Sequence, residues 1–366
     1  MFSRAALVLA GLAARTLAAT YGQADSFEGA GFYDGFTFMA ISDPTEGRVR
    51  TLIPTYPYRN YVDRATAVSQ NLTYGSGDTF ILRADSTTTL AASDPGRNSV
   101  RLQSNKLYNT HVTMCASVGA AVSPPRATLT RRSALTAGTS GTCRRDAGER
   151  ASSRDALVWL IRMSCPRSTW PALWEFGPDW PNDGEVDILE GVNDHGPNQA
   201  TLHTSANCAM PATRDMTGTS TGNNCDVNET GNSGCGVQSD SSSSYGPAFN
   251  AIGGGFYAME RTNSFIKVWF WPRNSGSIPS DVLSGATSVT TDSWGTPFAY
   301  FPSQSCDLST HFSGNNIIIN LTLCGVWAGV VFNADGCPGD CVTYVNQNPG
   351  AFANAYFDVA WLKVYQ

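Results

Sequence analysis

Apolar and polar residues alternate along this chain in short runs, and no stretch keeps apolar residues at the three-and-four spacing of a long amphipathic helix. Strands are predicted at 79–83, 99–102, 185–189, 256–259, 265–271, 317–323 and 357–365. Val, Ile, Phe, Tyr and Trp fill the inward positions, and Gly, Asn, Ser and Pro cluster between the runs, where the chain must turn. Strands that recur without alternating helices imply an all-β antiparallel sandwich, not a doubly wound sheet. The last run, Phe357-Asp358-Val359-Ala360-Trp361-Leu362-Lys363-Val364-Tyr365, is expected to pair with a strand near the start of the mature chain, which would make residues 20–366 a single domain.

Two stretches break the pattern. From Val112 to Val158 there is no Phe, Trp or Tyr, although aromatics make up 11% of the chain, and arginine replaces lysine throughout. An anomalous insert is therefore expected at about 112–155: either a long polar surface loop or translated non-coding sequence. A smaller suspect is 50–59. At the start, Arg4 precedes an apolar run from Ala5 to Ala14 and then small residues to Ala19. This is the pattern of a signal peptide over 1–19, too short to span a bilayer, and it implies a secreted, extracellular protein.

Composition narrows the partners. A net charge of -6 and a pI near 5.2 leave no basic footprint, which excludes nucleic acid and anionic membrane as expected partners. The ten cysteines lack the paired Cys-x-x-Cys spacing of a zinc site and read as disulfides in the C-terminal half. No metal site and no cofactor is expected. Sequons at Asn71, Asn228 and Asn320 are glycosylation candidates in an exported chain, although Asn320 lies in a strand-like run.

The string Gly184-Glu185-Val186-Asp187-Ile188-Leu189-Glu190-Gly191 carries the chemistry. On a strand, Glu185 and Asp187 share one face while Val186 and Ile188 face the core. Glu190, five residues from Glu185, would fall on the wrong face unless one bulge near Ile188 or Leu189 absorbs a residue. Three acids would then line one concave surface. The glutamates start roughly 13 Å apart at Cα, and leaning side chains can close on the carboxyl spacing of about 5 to 5.5 Å that retaining glycosidases use. Mutual repulsion would raise at least one pKa, and Asp187 can hydrogen-bond and orient the attacking carboxylate. An isolated acidic strand face is usually just solvated. Here Trp170, Trp174 and Trp180 stand nearby, and indole faces stack on pyranose rings, so a sugar cleft is the sharper reading. Trp180, between Asp179 and Pro181, is the preferred platform.

Trp170-Pro171-Ala172-Leu173-Trp174 followed by Gly184 to Asn193 resembles the active-site signature of family-16 glycoside hydrolases, closest to the fungal laminarinase-like endo-1,3(4)-β-glucanases. The likeness extends to 71–104, Thr201-Leu202-His203-Thr204, 257–261, 267–273 and the Ala360-Trp361 end, and so covers most of the chain. It implies a jelly-roll, concanavalin-like β-sandwich with a substrate groove across its concave sheet, acting on β-glucan polysaccharide as a monomer. It also implies Glu185 as nucleophile, Asp187 as its assisting partner and Glu190 as general acid/base; residue chemistry alone leaves the order of the two glutamates open. By the same resemblance His203 lines the site, and Trp174, Trp180 and Trp327 are the substrate-binding candidates. The sequence departs from the family at 112–155, at 50–59 and at Val326, where relatives often carry a polar or acidic residue. Two alternatives stay open: a β-glucan transglycosylase using the same intermediate, and a catalytically silent glucan-binding lectin of the same fold.

Overall fold

The computed structural model describes residues 19–40, 59–91, 94, 96–117 and 168–366. The expected leader up to residue 18, the suspect stretch before Arg59 and most of the anomalous insert lie outside these residues. Two antiparallel sheets stack face to face. One, the groove sheet, has eight strands in the spatial order Thr219–Ser220, Cys235–Gln238, Gln199–His203, Glu185–Glu190, Thr169–Phe176, Asn316–Leu323, Arg101–Ser104 and Phe36–Phe38. The nine-stranded outer sheet runs from Ser288–Thr290 through Thr20–Glu28, Tyr356–Tyr365, His111–Ser117, Gly255–Arg261 and Phe265–Pro272 to Ala299–Pro302. Its other two strands, Thr73–Ser76 and Thr79–Arg83, pair with each other, and Thr79–Arg83 also pairs with Tyr356–Tyr365. The all-β sandwich read from the alternation is thus present, and Tyr356–Tyr365 pairs with the first described strand, Thr20–Glu28, as expected.

Strand periodicity explains the layering. In Asn316–Leu323, Ile317, Ile319, Leu321 and Leu323 enter the core between the sheets, while Asn316, Ile318, Asn320 and Thr322 turn to the opposite, concave face. Tyr257, Met259, Ile266 and Val268 meet that core from the outer sheet. The outer sheet also buries its other face. Val112, Met114, Phe256, Trp269 and Trp271 form a second apolar cluster with Val282, Val289 and Trp294. The tryptophans of 265–271 are therefore structural, and Trp294 packs edge-on against both Trp269 and Trp271.

The start of the insert must be corrected. Val112 does not begin a loop: His111–Ser117 is a central strand, paired with Gly255–Arg261 on one side and Tyr356–Tyr365 on the other. It is buried between two apolar layers, Cys115 on one side and Val112, Met114 and Ala116 on the other. Disulfides join Cys208 to Cys306, Cys225 to Cys235 and Cys324 to Cys341, all in the C-terminal half. Of the sequons, Asn71 and Asn228 are exposed. Asn320 is buried in an interior strand, and its amide accepts from Trp174 Nε1 at 2.6 Å and donates to Thr322 Oγ1 at 2.9 Å, leaving no access for a glycan.

One charged group crosses between the sheets. Glu175 faces the core from the strand beside the acids, where His111 Nε2 lies 2.9 Å from its Oε1, Thr113 Oγ1 donates to the same oxygen at 3.0 Å, and Arg261 Nε stands 4.0 Å from Oε2. Burial alone would raise this carboxyl, but His111, Arg261 and Thr113 outweigh it and hold Glu175 below the usual range. Removing one member of a fully buried ion network leaves its partners uncompensated. Glu175→Ala is expected to destabilise the fold by about 3–5 kcal/mol, measured by urea unfolding, whereas a loss below about 1 kcal/mol would show that the network does not tie the sheets.

Candidate active site

Glu185–Glu190 lies in the middle of the groove sheet, between Gln199–His203 and Thr169–Phe176. Its register with Thr169–Phe176 runs Glu185 to Phe176, Val186 to Glu175 and Asp187 to Trp174, then jumps so that Leu189 faces Leu173 and Glu190 faces Ala172. Ile188 is the extra residue. The bulge expected from the spacing is there: Val186, Ile188 and Leu189 are fully buried in the core, and Glu185, Asp187 and Glu190 share the concave face. Gly184, at φ 73°, makes the turn into this strand, and a Cβ there would lie 2.4 Å from the Phe312 ring.

A bulge leaves backbone groups without ladder partners. The Asn198 side chain takes both: its Oδ1 accepts from the Glu190 N–H at 2.8 Å, and its Nδ2 donates to the Ile188 carbonyl at 3.1 Å. Asn198 is itself fully buried and fixed by its backbone, whose N–H donates to Ser244 Oγ at 2.9 Å. This clamp carries no sequence signal, since Asn198 follows a Gly-Pro turn outside any acidic or aromatic pattern.

Register rows place the rest. Asn316, Phe176, Glu185 and His203 lie side by side, as do Ile318, Trp174, Asp187 and Thr201. His203 Nε2 stands 3.2 Å from Asp187 Oδ2, and one donor atom each from Glu185, Asp187 and His203 falls within 4.8 Å of the others. Of the described residues, that trio is the group able to offer a cation three ligands. Trp170 Nε1 donates to Glu190 Oε1 at 2.6 Å. Trp327, on the turn after Asn316–Leu323, packs edge-on against Trp170 at 5.8 Å, with Val326 beside it 40% exposed. The Trp174 indole is pinned to Asn320, and the Arg101 guanidinium lies over its ring at 4.9 Å, so Trp174 acts as floor for the groove. Trp180 is half-buried, and its indole N–H leans toward Glu185, easing that carboxyl's shift without reaching hydrogen-bond geometry.

The electrostatics separate the two glutamates. Both side chains keep part of their surface open to the groove, but their carboxyls are walled by protein. Burial and then the charge of Asp187 push Glu185 up to about 7, against the pull of His203 and Arg101. Burial and Asp187 also drive Glu190 well above the carboxylate range, tempered by the Trp170 hydrogen bond and His203. For His203, burial opposes the charged form, yet Glu185, Asp187 and Glu190 together push the imidazole up to about 9. Groups whose environments push their proton affinities apart are suited to acid–base work.

A family model described as the XgeA-like catalytic GH16 domain matches residues 36–121 and 156–365. The chain belongs to glycoside hydrolase family 16. It is 34% identical over its full length to a probable endo-1,3(4)-β-glucanase of Aspergillus niger, of which it spans 43%. It is 53% identical to Laminarinase 16A of Phanerochaete chrysosporium, solved with β-glucans in donor and acceptor sites, at a TM-score of 0.79 over 95% of this chain and 100% of that one. An elongating family-16 β-1,3-glucosyltransferase is 32% identical, with a TM-score of 0.74 over 94% of this chain and all of that one. Residues 122–155 fall between the two matched segments.

The clamp generates a direct expectation. Asn198→Ala leaves the Ile188 carbonyl and the Glu190 N–H buried and unpaired, which should cost about 2–4 kcal/mol and lower turnover by displacing Glu190. Thermal unfolding and laminarin hydrolysis read both effects; a variant as stable and as active as the parent would show that the bulge holds itself.

Proposed function

We propose that this protein is a secreted endo-β-glucanase that hydrolyses β-1,3-linked glucan, and mixed β-1,3/1,4-linked glucan, by a retaining double displacement. The observation that carries the reading is the bulge that puts three acids on one face of a concave sheet, with Glu185 and Glu190 at the two ends of the segment. The endo-1,3(4)-β-glucanase and laminarinase relatives supply the substrate class. Two carboxyls at the ends of one short strand segment suit the close spacing of a retaining pair, so we read the chemistry as a displacement by carboxylate.

Glu185 attacks the anomeric carbon as its carboxylate, forming a glycosyl ester, while the bond to the departing oxygen breaks and Glu190 gives that oxygen its proton. Glu190, now ionised, takes a proton from water, which attacks the same carbon, releases the sugar with its original β configuration and frees Glu185. Asp187 sits between them, its charge balanced by the protonated His203, and discourages Glu190 from losing its proton early. Trp180 and Trp327 offer ring faces to the sugar, with Trp174 as floor. No cofactor enters this chemistry.

Three disulfides and the leader-like start support an extracellular site of action. We take the chain to act as a monomer, and among the described residues no helix is long and apolar enough to cross a membrane. A second reading, transglycosylation, is favoured by the exposed Val326 and by Trp327 packed on Trp170, a surface suited to an acceptor sugar, and by the glucosyltransferase relative. Products longer than the substrate from laminaritriose would reveal it.

Reducing ends should appear from laminarin, more slowly from lichenan, and not from carboxymethylcellulose, and proton NMR should show the β-anomer first. No release from any of the three would leave the glucan-binding lectin. Glu185→Gly should lower hydrolysis by more than a thousandfold, on the order of a lost catalytic nucleophile, with azide restoring turnover of an activated glycoside. Residues 122–155 we regard as an insertion dispensable for catalysis: a chain lacking them should keep its laminarin activity and melt no lower, and an inert shortened chain would make the segment part of the working enzyme.

A further inference from the structure

Trp170 lies near the acids in sequence together with Trp174 and Trp180, but its position gives it a task that stacking on sugar does not describe. It stands two residues from Ala172, which faces Glu190 across the strand pair, so the indole reaches diagonally over the small Ala172 side chain. Its Nε1–H donates to Glu190 Oε1 at 2.6 Å. An indole N–H can only donate, so Oε1 is held as an acceptor and the acidic proton is left to Oε2.

The indole is in turn held in place. Trp327 packs edge-on against it, at 82° between the ring planes. Gly325, at φ 75°, lies so close that a Cβ would sit 3.1 Å from Trp170 Cζ3. The turn that carries Gly325 and Trp327 is anchored at its start by the Cys324–Cys341 bridge. Glu190 is thus fixed twice: its backbone by Asn198 and its carboxyl by Trp170.

We propose that Trp170 is the positioning residue of the acid/base group, pinning one oxygen of Glu190 so that the other faces the departing glycosidic oxygen. The proposal rests on the role assigned to Glu190 above. A hydrogen bond to an ionised carboxylate favours its charged form, so its loss leaves Glu190 holding its proton more tightly and less well aimed.

The test compares the parent with Trp170→Phe and with 3-benzothienylalanine at position 170, which keeps the indole outline and replaces N–H by sulfur, so that shape and folding are preserved. Glu190→Ala runs alongside. On laminarin, kcat/KM of both Trp170 variants should fall about ten- to a hundredfold, the range for a lost hydrogen bond to a charged group. On a dinitrophenyl β-laminarioside, whose leaving group needs little protonation, the fall should be less than about threefold. The alkaline limb of the laminarin profile should move up by about one to two pH units. Equal losses on both substrates with an unmoved limb, or parental behaviour of the benzothienyl protein, would overturn the positioning role. If Glu190→Ala itself lost both substrates alike, the acid assignment would fall and this inference with it. If Glu190→Ala spared the activated substrate while the Trp170 variants did not, only the positioning role would fall.

Discussion

One extra residue, Ile188, decides whether this protein has an active site. Strand geometry alternates faces with a period of two, so an odd spacing of five between Glu185 and Glu190 would send one of them into the core. The bulge cancels that parity, but at the expense of two ladder partners in a buried sheet, which Asn198 restores. Everything the site does follows from this arrangement. The apolar residues of the same strand stay in the core, and the acids converge on the groove.

Convergence has an electrostatic consequence that the fold must absorb. Three acids crowd together where water is largely excluded, and the raised positions of Glu185 and Glu190 measure the strain. His203 answers it from the next strand, held in its charged form by the acids it neutralises. Glu175, one strand away and on the opposite face, shows the other solution: a carboxylate fully ionised because His111, Thr113 and Arg261 surround it. Two glutamates on adjoining strands therefore behave in opposite ways, and the difference lies in what each face of the sheet presents to them.

Much of this was legible from residue order. Alternating runs located the strands, the Glu-x-Asp-x-x-Glu spacing required the bulge, and the family resemblance gave His203 and Trp327 their places. Other parts were not. Asn198 is an unremarked amide in a turn, and only a three-dimensional register brings it to the bulge. Glu175 reads in sequence as one more acid of the tryptophan motif, although period two already put it on the core face with Leu173. The strand His111–Ser117 reads in sequence as the start of the insert because it holds no Phe, Tyr or Trp, although it pairs on both sides in the outer sheet. Asn320 matches a sequon, yet its amide is spent on Trp174 and Thr322. In each case the missing information was the identity of the neighbour, which composition and spacing do not contain.

In the proposed mechanism Glu185 becomes covalently attached to the sugar while Glu190 manages the proton. A 2-deoxy-2-fluoro β-laminarioside with a good leaving group slows the second step and should trap the first. Intact-mass measurement should show one fluoro-glycosyl unit added per chain, and peptide mapping should place it on Glu185 in the Gly184-to-Gly191 peptide. A label on Glu190 or Asp187, or turnover without any trapped ester, would contradict the assignment.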